Sequence, residues 1–442
     1  MIKAFDGPLH VCRNNPRYFA DNSGQPVYLT GSHTWQNLSD IGPACPPATF
    51  DYERFLNLLG QWGHNCFRLW RWELINGTAV EVHGTNGNYA APHPWTRSGP
   101  DKAVDGLARF DLSKLDEKYF ARLRSRVQMA LDKGMYVIVM LFEGWALRYA
   151  DRMDGHPFCA ANNVNSVDCS RDLTEIQTLD HPDILRIQEA YARKVVDTVN
   201  GFDNVLYEIS NETSDKATDW QYHMIGLIKQ YEQTMPTQHP VGMTFQYVKE
   251  YLENNTCDTN DLLLASPADW ISPGNDAAKT YRNGPPPATG DKVFILDTDH
   301  LWGIGGNPDW VWRSFTRGYG TLYMDTWDTT VKTHDQKQEV RLALGYTRCY
   351  AERMDLANAI PQTDLASTGY ALANPGREYL IYVPVGRTFT AEIVPASYIF
   401  EWFDCKTGTI AESGTMQTTG GQTQITSPIS GPVALYLARA KS

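Results

Sequence analysis

Between residues 27 and 357 the chain alternates short apolar runs with amphipathic helical periods about eight times, and nearly every apolar run ends in polar or aromatic residues. The runs are Val27–Thr30, Asn65–Trp70, Tyr136–Leu141, Asn204–Glu212, Pro240–Phe245, Asp261–Ala265, Lys292–Leu296 and Gly320–Met324. Tyr136–Leu141 is almost continuously apolar, as a parallel strand covered on both faces must be. Between the runs, Phe55, Leu58, Leu59 and Trp62, or Ile184, Ile187, Tyr191, Val195 and Val199, recur at helical spacing. Such a chain either closes into a (β/α)8 barrel or spreads into a doubly wound sheet. No glycine-rich phosphate fingerprint follows the first strand, which disfavours the open sheet. Polar strand ends recurring around the array predict a barrel with one functional rim.

The stretch Asn204–Glu212 is the most informative of these ends, because a buried strand there terminates in an amide and a carboxylate. Tyr207-Glu208-Ile209-Ser210-Asn211-Glu212 resembles the fourth-strand signature of clan A glycoside hydrolases, especially the family-5 type. The resemblance implies a substrate-binding role for Asn211 and a general acid/base role for Glu212. It also implies that Arg68, in Asn65-Cys-Phe-Arg68-Leu, holds the nucleophilic carboxylate, with Glu208 pairing such an arginine from deeper in the strand. Glycoside hydrolysis needs one carboxyl at the leaving oxygen and one at the anomeric carbon. The clan takes the second from a glutamate on strand seven, where this chain has Asp297 and Asp299 instead. Both point to one face if extended. An apiosidase-like Asp-Gly-Glu pattern laid on them makes Asp299 the nucleophile and Asp297 its support, in contact with Arg68 or substrate. A family-5 alignment favours Asp297. The resemblance further implies a retaining mechanism; no metal or other cofactor is expected, because the sequence shows no ligand cluster. Other expected cleft residues are His33 and Trp35 after strand one, Glu143 and Trp145 after strand three, His300 and Trp302 after strand seven, and Trp327 as a sugar platform after strand eight.

Residues 74–110 and 150–181 are long polar insertions, and a loop that long in a compact domain is often functional. His83, His93 and Trp95 are cleft candidates from the first, although a structural role is equally open. After about residue 365 short strands separated by Gly, Pro and Thr turns predict a small antiparallel β-sandwich. The expected organisation is therefore N-terminal strands over 1–26, a catalytic barrel over 27–360 and a sandwich over 366–442. Glu401–Gly408 resembles the module labelled collagen-binding that follows apiosidase-like barrels; a stabilising module packed on the barrel is the preferred expectation.

A net charge of -12 without a basic run argues against nucleic acid as partner, and no window approaches a membrane span. The eight cysteines lack metal-type spacing, although Cys159 and Cys169 flank a polar loop and could pair under oxidising conditions. The N-terminus lacks an apolar signal core, so a cytoplasmic or a mature secreted or periplasmic form is expected. Carbohydrate is the expected partner; the sugar, exo or endo action and the oligomeric state stay open. A non-catalytic carbohydrate-binding barrel and an adhesive role for the C-terminal module are the competing readings.

Overall fold

The computed structural model describes residues 5–76, 88–148, 154–169, 172–247, 259–276, 280–286, 289–327 and 336–440. His83 lies outside them. Eight parallel strands form the barrel: Thr30–His33, Cys66–Leu69, Tyr136–Glu143, Val205–Asn211, Val241–Thr244, Trp270–Ser272, Val293–Asp297 and Gly320–Met324. Strand eight pairs with strand one, and a parallel bridge between Thr34 and Leu69 closes the ring between strands one and two. The chain is a (β/α)8 barrel followed by a β-sandwich.

Outer helices form where the sequence supplies an apolar stripe and a cap. In Tyr52–Gln61, Asp51 accepts from the Arg54 N–H, and Tyr52, Phe55, Leu56 and Leu59 turn inward. In Glu117–Asp132, Asp116 caps Lys118 N–H, and Phe120, Leu123, Val127 and Ala130 are buried.

The barrel interior is layered in steps of two residues, as strand pleating requires. Cys66, Ile138, Leu206, Ile295 and Leu322 form an apolar floor together with the Trp270 ring. Two residues further along the same strands come Arg68, Met140, Glu208, Asp297 and Met324, all at most 1% exposed. Charge thus enters the barrel one layer below its C-terminal rim. Gly242 makes room for the floor, since a Cβ there would sit 1.9 Å from the Trp270 ring.

Two expected strands are displaced. Strand six is Trp270–Ser272, whereas 261–265 lies within the helix Asn260–Ala265, which buries Leu263 and leaves Leu262 exposed. Three leucines in a row suggested a strand, but one-sided burial suits a helical turn. Strand one begins at Thr30 rather than Val27, because Pro26–Val27 pairs with Phe19–Ala20 in the N-terminal hairpin around Asp21–Gly24.

In the C-terminal unit a six-stranded antiparallel sheet, running from Ile360–Pro361 to Val433–Arg439 and Thr409–Gln417, faces the pair Thr388–Glu392 and Gln422–Thr426. Tyr379, Ile381, Tyr398, Trp402, Ile425 and Leu435 fill the space between. The strand Thr409–Gln417 is almost wholly exposed, so it carries no alternation by which its sequence could reveal it. The other face of the large sheet packs on the barrel: Trp312 stacks on Tyr382 at 5.9 Å, Tyr382 Oη donates to Asp309, and Glu401 accepts from Tyr350 and Arg353. Among the described residues no helix is long and apolar enough to cross a membrane.

Candidate active site

The buried charge layer is built on Arg68. Its Nε donates to Glu208 Oε2 at 2.8 Å, Nη1 to Asp297 Oδ2 at 3.0 Å, and Nη2 to Glu208 Oε1 and to Asn211 Oδ1 at 2.6 Å. His33 Nε2 lies 2.7 Å from the same Asp297 oxygen, and its ring stacks on Trp70. Asp297 Oδ1 accepts from the Asp299 backbone N–H at 2.9 Å. Burial opposes ionisation of Asp297, but His33, Arg68 and His300 outweigh it and hold its carboxyl well below the usual range. Asp297 is thus a permanently charged support that fixes the turn carrying Asp299.

Above this layer a cavity of about 370 Å³ opens at the rim, in the lower part of the roughly 300–1,000 Å³ range of small-ligand pockets. Asp299, His300, Asn211 and Glu212 contribute its polar groups, and Trp35, Trp70, Trp72, Trp145 and Trp302 its aromatic walls. Glu212 has φ +45°, a left-handed conformation uncommon for a residue with a side chain. It follows the last residue of strand four directly. The neighbouring chain is pressed close there: Gly144 N–H donates to Asn211 O at 2.7 Å, and a Cβ on Gly144 would meet Thr213 Cα at 2.6 Å.

One ligating atom each from Glu212, Asp299 and His300 lie within 4.8 Å of one another. Both carboxyls are raised. For Asp299 the causes are burial, then the charges of Glu212 and Asp297, with Arg68 opposing from 3.6 Å; its Oδ2 has no hydrogen-bond partner in the protein. For Glu212, burial outweighs the lowering effect of Arg148, whose Nη2 donates to it at 2.9 Å. Two like charges this close in a buried site are not ionised together near neutral pH, so the pair holds one proton. His300 is pushed down to about 3 by burial and by Arg68, and is neutral. Its Nε2 lies 3.1 Å from Asn211 Oδ1 and its Nδ1 2.8 Å from Ser272 Oγ. With Nε2 protonated toward the amide oxygen and Nδ1 accepting from the serine, both ring nitrogens are occupied. Hence the trio is a poor metal site despite its spacing.

The structure brings Glu212, Asp299, Asn211, His300, Trp35, Trp145 and Trp302 to the cavity, and sets Arg68, His33 and Asp297 directly beneath. Four other expected cleft residues lie outside its lining. Trp327 is outside the cavity lining: it is 6% exposed and packs edge-on against Phe55 and Trp62. Glu143 is fully buried and takes no part in the lining; it accepts from Ala146 N–H beside the Glu73–His156 pair, and burial, Glu73 and Glu212 push it up to about 8. His93 and Trp95 are core residues, His93 bonding Ala90 O and Trp95 packing on Phe158. Cys159 and Cys169 are both buried and neighbour one another.

Sequence reasoning missed Trp70, Trp72, Arg148, Phe245 and Arg282 in the cavity wall. The two tryptophans had a signal, since Arg68, Trp70 and Trp72 continue one period-two face past the strand end. The arginines stand on a 3-10 turn, Trp145–Arg148, and in a loop turn, Thr280–Arg282, which no periodicity marks.

A family model described as a domain of unknown function, DUF6298, matches residues 81–250, the span that carries strands three, four and five. No curated protein matches the chain. Among solved structures, a candidate glycoside hydrolase from Bacteroides vulgatus ATCC 8482 is similar with a TM-score of 0.62 at 11% identity, covering 98% of this chain and 83% of that one. A family 5 glycoside hydrolase from the same organism gives 0.61 at 13% identity, covering 98% and 94%. Another glycoside hydrolase gives 0.58 at 12% identity, covering 100% and 99%. At such identities the likeness establishes the architecture, a barrel with an appended β-sandwich.

Proposed function

We propose that the protein is a retaining glycoside hydrolase acting on an oligo- or polysaccharide, with Glu212 as general acid/base and Asp299 as nucleophile. The observation that carries this reading is the pair of buried carboxyls within 4.8 Å at the base of a tryptophan-walled cavity. Retaining enzymes hold their carboxyls about 5–5.5 Å apart, whereas inverting ones leave about 6.5–9.5 Å for a water. The architecture shared with glycoside hydrolases supports it, and tryptophan faces suit the apolar faces of sugar rings.

In the first step Asp299 attacks the anomeric carbon while Glu212 protonates the departing oxygen; in the second Glu212 deprotonates the water that releases the glycosyl ester. Asp297 holds Asp299 through its backbone N–H, and Arg68 and His33 keep Asp297 ionised. Arg148 favours the charged form of Glu212, whereas burial and the charges of Glu212 and Asp297 raise Asp299. Substrate entry must therefore separate Arg148 from Glu212 and pass the proton across. Turnover on a panel of glycosides, with NMR of the first-formed anomer, tests the reading: retention is expected. An inverted first product excludes the double displacement, and binding without turnover on any glycan leaves a carbohydrate-binding barrel.

A further inference from the structure

The cavity holds a cation that the proposed chemistry does not use. Arg282 lines the cavity together with Trp302 and Asp299. Its Nε donates to the Leu301 carbonyl at 2.6 Å. That carbonyl is itself fixed by Asn275 Nδ2 at 2.8 Å and belongs to the turn that carries Asp299. The turn that carries Arg282, Thr280–Arg282, is held too. Asp276 caps Thr280 N–H, Gly284 N–H bonds Thr280 O, and Tyr281 O accepts from Trp310 Nε1. Arg282 is therefore a guanidinium anchored at one nitrogen on rigid supports. Among the described residues no carboxylate pairs with it.

Charge counting says what it awaits. The cavity lining carries Arg148, Arg282, Glu212 and Asp299 as its charged groups, with His300 neutral. Glu212 and Asp299 share one proton, so two positive charges face one negative charge. Beneath the lining, Arg68 stands against two carboxylates, Glu208 and Asp297, so that layer adds no positive charge. Arg148 is met by Glu212, which leaves Arg282 as the lining cation without a carboxylate partner among the described residues, in a protein whose formal net charge is -12. A planar guanidinium with both Nη groups available matches a carboxylate two-pronged.

We infer that the sugar bound in this cavity is a uronic acid, its carboxylate read by Arg282. This rests on the glycosidase reading for the turnover arm of its test but not for the binding arm. The test measures binding of matched monosaccharide pairs, glucuronate against glucose and galacturonate against galactose, by titration calorimetry at low salt. Wild type, Arg282→Ala and Arg282→Lys are compared, alongside turnover of the matched aryl glycosides. Wild type should prefer one uronate over its neutral partner at least tenfold. Arg282→Ala should abolish the preference, read as the ratio of uronate to neutral-sugar affinity within each variant, and Arg282→Lys should restore part of it. The preference should also shrink in 0.5 M salt, because the contact is partly exposed. Equal binding of both members of every pair by wild type, or a uronate preference that survives in Arg282→Ala, overturns the inference even if glycosides are hydrolysed. A stronger preference for the 6-sulfated sugar than for the uronate overturns the carboxylate assignment. If the uronate preference stands and no glycoside is turned over, the catalytic reading fails and this one does not.

Discussion

Asp297 and Asp299 stand two residues apart, and the geometry gives them opposite fates on substitution. Asp299→Ala removes the attacking carboxylate and leaves a gap the size of a small anion beside the anomeric carbon. Loss of a catalytic nucleophile costs on the order of 10⁴–10⁶ in rate, or about 5.5–8 kcal/mol of barrel-rim transition-state stabilisation at ~1.4 kcal/mol per decade. The fold should be spared or strengthened, because a buried carboxyl with an unpartnered oxygen and two anionic neighbours is lost. Asp297→Ala does the reverse. It strips partners from Arg68 at 3.0 Å, His33 at 2.7 Å and the Asp299 N–H at 2.9 Å. Removing one partner of a buried ion pair costs about 3–5 kcal/mol, with Glu208 still pairing Arg68 and keeping the loss toward the lower figure. The assay combines thermal unfolding with turnover of an activated aryl glycoside in the presence and absence of azide. Asp299→Ala should unfold no earlier than wild type, be inactive alone, and form glycosyl azide of the anomeric configuration opposite to the substrate. Asp297→Ala should unfold earlier and gain nothing from azide. Azide rescue in Asp297→Ala together with residual activity in Asp299→Ala would reverse the assignment, as a family-5 alignment has it.

Further expectations concern the surroundings. Arg148→Met removes the cation that favours ionised Glu212, so the alkaline limb of the kcat/KM–pH profile should move to higher pH; an unmoved or acid-shifted limb contradicts the role given to Glu212. Glu143 is raised to about 8 from an ordinary 4.5. Its contribution is fully present below about 4.5 and is lost as pH rises toward and through about 8, where the buried group must ionise. Glu143→Gln should remove that loss, worth up to about 5 kcal/mol, as chemical denaturation of both proteins at pH 5 and pH 8.5 would reveal. Trp327→Ala should cost about 3–5 kcal/mol of stability through the cavity it leaves, with kcat/KM per folded molecule unchanged; a selective rise in KM would return it to the substrate. Deleting 366–442 uncovers Trp312 and Tyr350, and should yield aggregation rather than a soluble active barrel.

The alternation of apolar runs and helical stripes determined the barrel, because burial on both faces of a parallel strand forces each run to be apolar and each helix to be one-sided. It also set Asn211, Glu212, Asp297 and Asp299 at the ends of strands, and the resemblance of Tyr207–Glu212 to the clan A signature singled them out, with Arg68, as candidates. Strand six escaped because three paired residues are too few to make a pattern, while Leu262–Leu264 made a false one. Only the tertiary structure decided which aspartate faces the cavity: period two puts both on one face, but the turn that begins at Thr298 lifts Asp299 to the rim and leaves Asp297 below with Arg68 and His33. Only the tertiary structure showed Trp327 packed on Phe55 and Trp62 and outside the cavity lining. And only it could gather Arg148 and Arg282, from turns more than 130 residues apart, around one cavity, because loop backbone follows the contacts it makes and carries no period of its own.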